Sequence, residues 1–229
     1  QMGGGHRSIP RWSEARNTNL LNGESVVSDG LAFRNEDFFN VTLGTDYHIN
    51  DYNVLTLSGS FAYEWEQQPS EFNFQFFDSL GNTVSTWQRT EETTAGNPKF
   101  QYELNYNKEF KNNEEHVLVL SGLGRFFGKE VSSQFSHNTL DGSEINSDQQ
   151  METDYVLATY TFKADYTNPI TEEIKLETGA QYVIDDASND FAVSDLVNGT
   201  YRPNLGFTND FEYRQGVLGI YATTSYENK

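Results

Sequence analysis

The chain has 229 residues, 34 acidic against 15 basic, and a formal net charge of -19. That balance excludes a nucleic-acid partner, which needs clustered Lys and Arg, and the lack of Cys excludes disulfides, thiolate metal sites and a Cys nucleophile. Aromatic residues, at 14%, are too many for an acidic disordered chain, and no window approaches the roughly 18 apolar residues of a membrane-spanning helix.

The first residues, QMGGGHRSIPRW, show no basic stretch followed by an apolar one, so no signal peptide is expected. Residues 1–36 read as a loop or a preceding extracellular segment. From Phe39 a period of two takes over. Phe39, Val41, Leu43, Tyr47 and Ile49 alternate with Asn40, Thr42, Asp46 and His48. A second run carries Leu55, Leu57, Phe61, Tyr63 and Trp65, and a third Phe100, Tyr102, Leu104, Tyr106 and Phe110. A fourth covers 116–128 with Leu118, Leu120 and Phe126 on one face. The fifth has Val156, Ala158, Tyr160, Phe162, Ala164 and Tyr166, and the sixth Ile174, Leu176, Ala180 and Tyr182. A seventh, 211–226, is strand-like without a clear division of faces. Alternation of this kind predicts β-strands, and the five prolines fall between them.

The connections alternate in length: short at Asn50–Asn53, Lys111–Glu115 and Asn168–Glu173, long at Gln67–Pro98, Lys129–Thr153 and Asp185–Thr208. NVLTLSGS at 53–60 recurs as HVLVLSGL at 116–123, with EIKLETGA at 173–180 a looser copy whose Gly is out of phase. Phe39 and Tyr47 are separated by about 20 Å of membrane normal at a tilt of about 40°. Aromatics at strand ends with Leu43, Leu57, Leu104, Leu118 and Leu120 between them suit two interfacial girdles around an aliphatic band. The expected fold is therefore all-β: an up-and-down antiparallel transmembrane β-barrel segment with short periplasmic turns and long extracellular loops. Residues 37–229 supply about seven strands of an incomplete barrel. Asp46, His48, Glu64, Glu103, Glu109, Lys163, Asp165, Lys175 and Glu177 point inward in this reading. Because strands with open edges cannot stand in lipid, the remaining strands and a plug come from the same or a partner chain. The strand pattern still running at ATTSYENK reads as a piece of a longer protein.

Catalytic signals are lacking. His6, His48, His116 and His137 are scattered and match no metal spacing, and no nucleophile elbow, phosphate loop or dinucleotide fingerprint occurs. No enzyme, cofactor or resident metal is expected. Two acidic groups, Asp185-Asp186 with Asp190 and Asp141 with Glu144 and Asp148, could hold Ca²⁺, although solvated negative loops are the simpler reading. The segment EFNFQFFDSLGNTVSTWQR is richer in aromatics than solvation requires, so Phe72, Phe74, Phe76, Phe77 and Trp87 are the candidate ligand- or partner-contact residues. The alternative is a secreted acidic β-sandwich that binds glycans through exposed aromatics.

FFNVTLGTDYHINDYNVLTLSGSFAY and ATYTFKADYTNPITEEIKLETGAQY resemble barrel hairpins of outer-membrane proteins of the TonB-dependent receptor type from Bacteroidota, and NDFEYRQGVLGIYATTSYENK is similar to the strand that follows. The resemblance covers about residues 37 to 229 and implies a barrel of about 22 strands around a plug, in the bacterial outer membrane. It further implies ligand uptake driven by an energy-transducing inner-membrane complex, or a part in a surface complex with lipoproteins. A plug, an energy-coupling box and a terminal aromatic-ending strand are not recognisable in these residues. Asp78-Ser79-Leu80 resembles the short O-glycosylation site of such bacteria.

Overall fold

A computed structural model describes residues 1–111, 113–143 and 148–226. The described residues form one antiparallel sheet: β1 (Met2–Thr18), β2 (Ser25–Asn50), β3 (Asn53–Phe77), β4 (Thr83–Phe110), β5 (Asn113–Asp141), β6 (Gln149–Pro169), β7 (Ile174–Val197), β8 (Thr200–Pro203) and β9 (Asn209–Tyr226). Each strand pairs with the next as far as β7, which then pairs with β8 at its top and with β9 along the rest. No second sheet packs against this one among the described residues, which removes the β-sandwich alternative. The sheet does not close: β1 is one edge, and β9 with β8 above it forms the other.

Register assigns the faces. Through the ladders, odd residues of β2 and β3 share a face with even residues of β4 to β7 and of β9. This face holds the expected apolar set, and it resolves the seventh run, where Leu218, Ile220 and Ala222 join it. Leu43, Leu57, Phe162 and Ile220 are 70%, 50%, 54% and 78% exposed. A continuous apolar band of that size needs an apolar medium around it. Phe39, Phe61, Phe100 and Phe126 cross four strands with ring centroids 5.3, 4.7 and 5.7 Å apart, forming one girdle. At the other margin Phe110 stacks on His116 at 3.9 Å, and the His116 Nε2 lies 2.8 Å from the Tyr166 hydroxyl. The repeated octapeptides take equivalent places, Leu57 and Gly59 matching Leu120 and Gly122 on the belt face, whereas Gly179 lies on the opposite face.

All nine residues expected to point inward lie on the opposite, inner face. There they pair locally: Lys163 with Asp165 at 2.7 Å, Lys175 with Glu177 at 3.4 Å, and Thr56 donating to Asp46 at 2.6 Å. Short turns close the lower end. Asn50 Oδ1 accepts from the Tyr52 N–H and from Asn53, and Thr171 Oγ1 accepts from the N–H groups of Glu173 and Ile174.

Three expectations are corrected. Residues 2–18, expected within a loop or extracellular segment, form β1, and β2 begins at Ser25, so eight long strands stand where seven were expected. The segments read as long loops are strand for most of their length. β3 runs unbroken to Phe77 and β4 starts at Thr83, leaving only 78–82 as the turn. The third concerns proline: Pro10, Pro69 and Pro98 lie inside strands. Pro10 is on the edge strand, and the ladders skip the other two, pairing resuming from Asn35–Gln67 to Ala32–Ser70 and from Gly96–Glu130 to Lys99–Phe127. A residue without an N–H is tolerated where the ladder is already interrupted.

At 25 residues, a tilt of about 40° and about 3.3 Å per residue, β3 climbs roughly 60 Å, against an apolar band of about 25 Å. More than half of it therefore rises beyond the belt.

Two outcomes test this arrangement. Cysteines introduced as Lys175→Cys and Glu177→Cys react with aqueous reagents, whereas Leu176→Cys reacts with lipid-phase ones; the reverse pattern disproves the face assignment. At Gly124 the ring of Tyr102 lies so close that an added Cβ would stand 2.2 Å from it. Gly124→Val is expected to cost about 1–3 kcal/mol, read as a lower temperature of heat-modifiable migration, and Tyr102→Ala in the same chain is expected to relieve it.

Candidate functional site

The upper halves of the strands form a wall whose polarity is the reverse of the belt's. Burial along β4 shows it: Thr93, Ala95 and Asn97 are buried, while Glu92 and Thr94, on the opposite face, are exposed. On β3 the apolar residues shift from odd positions below Glu66 to even positions above it, at Phe72, Phe74 and Phe76. No bulge separates the two phases, since β3 pairs continuously with β4 from Asn53 to Phe76. The inner face above the belt is therefore the more buried one, where an aromatic cluster stands beside paired polar groups, and the outer face is polar.

Four of the five candidate contact residues come together on this inner face. Phe74 and Trp87 are cross-strand partners whose rings stack 5.1 Å apart at 4°, with Phe72 6.5 Å from Phe74. Phe76 lies one step above them, opposite Ser85. Phe77 does not join them: one step after Phe76 it turns to the outer face, opposite Ser25, and meets the guanidinium of Arg16 at 5.8 Å. Sequence reasoning missed the continuation of the cluster onto β5 and β7. Phe135 and Val193 are buried there, with the Arg89 guanidinium 4.3 Å over the Phe135 ring. The signal was present as odd-position apolar residues in β5 and β7, out of phase with the belt runs.

A transverse charge network underlies the wall. Glu36 is fully buried between Arg7 and Arg34, and Arg34 also donates to Glu66 at 3.0 Å. Glu66 accepts from Gln68 at 2.6 Å and from the Asn97 amide, and Lys99 donates to Glu64 at 3.0 Å. Burying two carboxylates is tolerable because arginines reach each of them across strands.

At the top of the wall, His137 is held below the usual imidazole range by burial first and by the Arg89 charge, with Asp148 acting the other way from 3.7 Å. In the β3–β4 turn, the Asp78 carboxyl is held below its ordinary range, chiefly by the Asn82 side chain and also by backbone N–H donors of Asn82 and Leu80.

The first of the two candidate calcium groups is not assembled. Asp185 accepts from Thr159 on the inner face, whereas Asp186 and Asp190 lie on the outer one. Asp148 accepts from the His137 N–H at 2.7 Å, and Glu144 lies outside the described residues. No group of three His, Asp or Glu is placed to hold a metal among the described residues.

Residues 112–229, 118 of the 229, match the outer membrane protein beta-barrel family. The chain belongs to this family. The belt is accordingly its lipid-facing surface in the bacterial outer membrane, and the open sheet is a barrel segment. No curated protein matches the sequence.

His137 makes the wall pH-sensitive in a defined direction. Its native pKa is lowered, so an opened segment takes up a proton that folded His137 resists. Local stability is full above about pH 6.5 and falls as pH drops below it. Amide exchange in the upper part of β5, corrected for intrinsic rates, is expected to accelerate between pH 7.5 and pH 5, and His137→Gln to remove most of that acceleration.

Proposed function

We propose that this barrel segment belongs to a TonB-dependent receptor-type protein of Bacteroidota that takes up a ligand or acts within a surface complex. Its role is binding and passage rather than catalysis. The observation that carries this reading is the aromatic inner wall above the bilayer. A barrel needing only to be stable has no use for strands of this height lined on the inside with Phe72, Phe74, Phe76 and Trp87. Such a wall offers stacking and apolar contact to a ligand before it reaches the lumen. Uptake would then draw on an energy-transducing inner-membrane complex. In the surface-complex form of the reading, lipoproteins dock at the turns above the wall, where Leu80 is 86% exposed.

The test is growth of the source bacterium on a panel of single nutrients: oligosaccharides, peptides and iron chelates. Deletion is expected to impair growth on one class, and Phe74→Ala with Trp87→Ala to reproduce that defect with the barrel still present and heat-modifiable. Uptake of that nutrient is expected to stop when the proton gradient is collapsed. Normal growth of the deletion strain on every nutrient would sink the uptake reading, and uptake that survives collapse of the gradient would sink its energy coupling.

A further inference from the structure

Where the belt gives way to the acidic outer wall, the lipid-facing surface carries a groove of about 530 Å³. Its floor is aromatic. Trp65 is 51% exposed and lies 4.3 Å from the Tyr63 ring, which reaches over Gly96 so closely that an added Cβ there would stand 2.6 Å from the Tyr63 hydroxyl. Its far side is a row of carboxylates on consecutive strands: Glu130 pairs with Asp154, and Asp154 with Asp190. Strands about 4.8 Å apart set these like charges directly opposite one another, a destabilising arrangement in isolation.

The inner face treats its carboxylates differently. Glu36, Glu64, Glu66, Asp165 and Glu177 each have an Arg or Lys partner. Glu130, Asp154 and Asp190 have no ion pair or side-chain hydrogen bond among the described residues. Lys129, next to Glu130 in sequence, is on the inner face by register. The groove thus joins an aromatic floor to a wall of uncompensated negative charge, at the level where lipid headgroups lie.

Four residues down β3 on the same face is a second groove of about 350 Å³, almost wholly apolar, lined by Leu43, Leu57, Gly59 and Tyr102. The upper groove is complementary to a compact cation, by cation–π contact with Trp65 and by charge with the row, and the lower one to an alkyl chain.

We propose that the two grooves together seat an amine-bearing lipid, its ammonium headgroup between Trp65 and the Glu130–Asp154–Asp190 row and an acyl chain in the groove below. The bound ammonium neutralises the row, and anionic headgroups are repelled from it. The bond is reversible and noncovalent, and it does not depend on what the wall above takes up.

The experiment uses the closed barrel, this chain together with the strands that complete it, reconstituted into vesicles of phosphatidylethanolamine and phosphatidylglycerol in equal parts, with retained lipid counted by native mass spectrometry after detergent extraction. Wild type is expected to retain phosphatidylethanolamine in preference to phosphatidylglycerol. Glu130→Gln, Asp154→Asn and Asp190→Asn together are expected to weaken that retention about tenfold, and Trp65→Leu to weaken it less. Asp154→Asn alone supplies the reading if the triple variant lacks heat-modifiable migration. Equal retention of the two lipids, or a preference that survives loss of the row, overturns the proposal. So does displacement of the lipid by millimolar Ca²⁺, which would assign the row to a divalent cation. Displacement by free ethanolamine at similar concentration would overturn the lipid in favour of a soluble amine.

Discussion

Strict alternation of side chains along an unbroken strand is the constraint on which this structure rests. A residue cannot change face without a bulge, and the register shifts here lie near the ends of the strands. The chain must nevertheless satisfy lipid at one height and water at another. It does so by reversing the phase of its sequence rather than its backbone. Below Glu66 the apolar positions of β3 are odd and face lipid; above it they are even and face inward. The plane of reversal is where Arg7, Arg34, Glu36, Glu66 and Asn97 meet across four strands. Slipping β2 or β3 by one residue would turn Glu36 or Glu66 to the other face, and slipping β1 would take Arg7 from Glu36.

The same reversal explains what was legible in the sequence. Each belt-level run was readable, because a lipid-facing strand shows its alternation in one phase over ten or so residues. Above the belt the alternation persists but changes parity, so the pattern looks broken where the strand continues. Pro69 and Pro98, at or near that reversal, strengthened the impression of loops, although each occupies a gap in one ladder only. β1 was hidden for another reason. Its belt-level portion is short, with Met2 opposite Val41 and Gly4 opposite Phe39, and three glycines in a row carry no face signal. β8 did have a signal: Asn198 and Gly199, with φ of 51° and 76°, are the residues a two-residue hairpin turn calls for.

The contact cluster was legible as composition but not as geometry. Counting aromatics between Phe72 and Trp87 found the right stretch, and four of those side chains share a face. Phe77 stands apart because alternation turns it, one step after Phe76, to the outer face, as its odd position among the even Phe72, Phe74 and Phe76 dictates. Phe135 and Val193, distant in sequence, belong to the same surface only because β5 and β7 are wall strands throughout their upper halves.

β7 is bonded on its far side by two different strands, β9 from Ile174 to Phe191 and β8 from Ser194 to Val197. The free margin of the sheet is therefore stepped. Above the step the outermost strand is only four residues long and carries Arg202 and Pro203, features that discourage another strand from adding on. Below it, β9 presents 18 residues to any newcomer. Lateral growth of the sheet is thereby permitted within the bilayer and halted above it, so that the rampart outside the cell can end at this point while the ring in the membrane goes on.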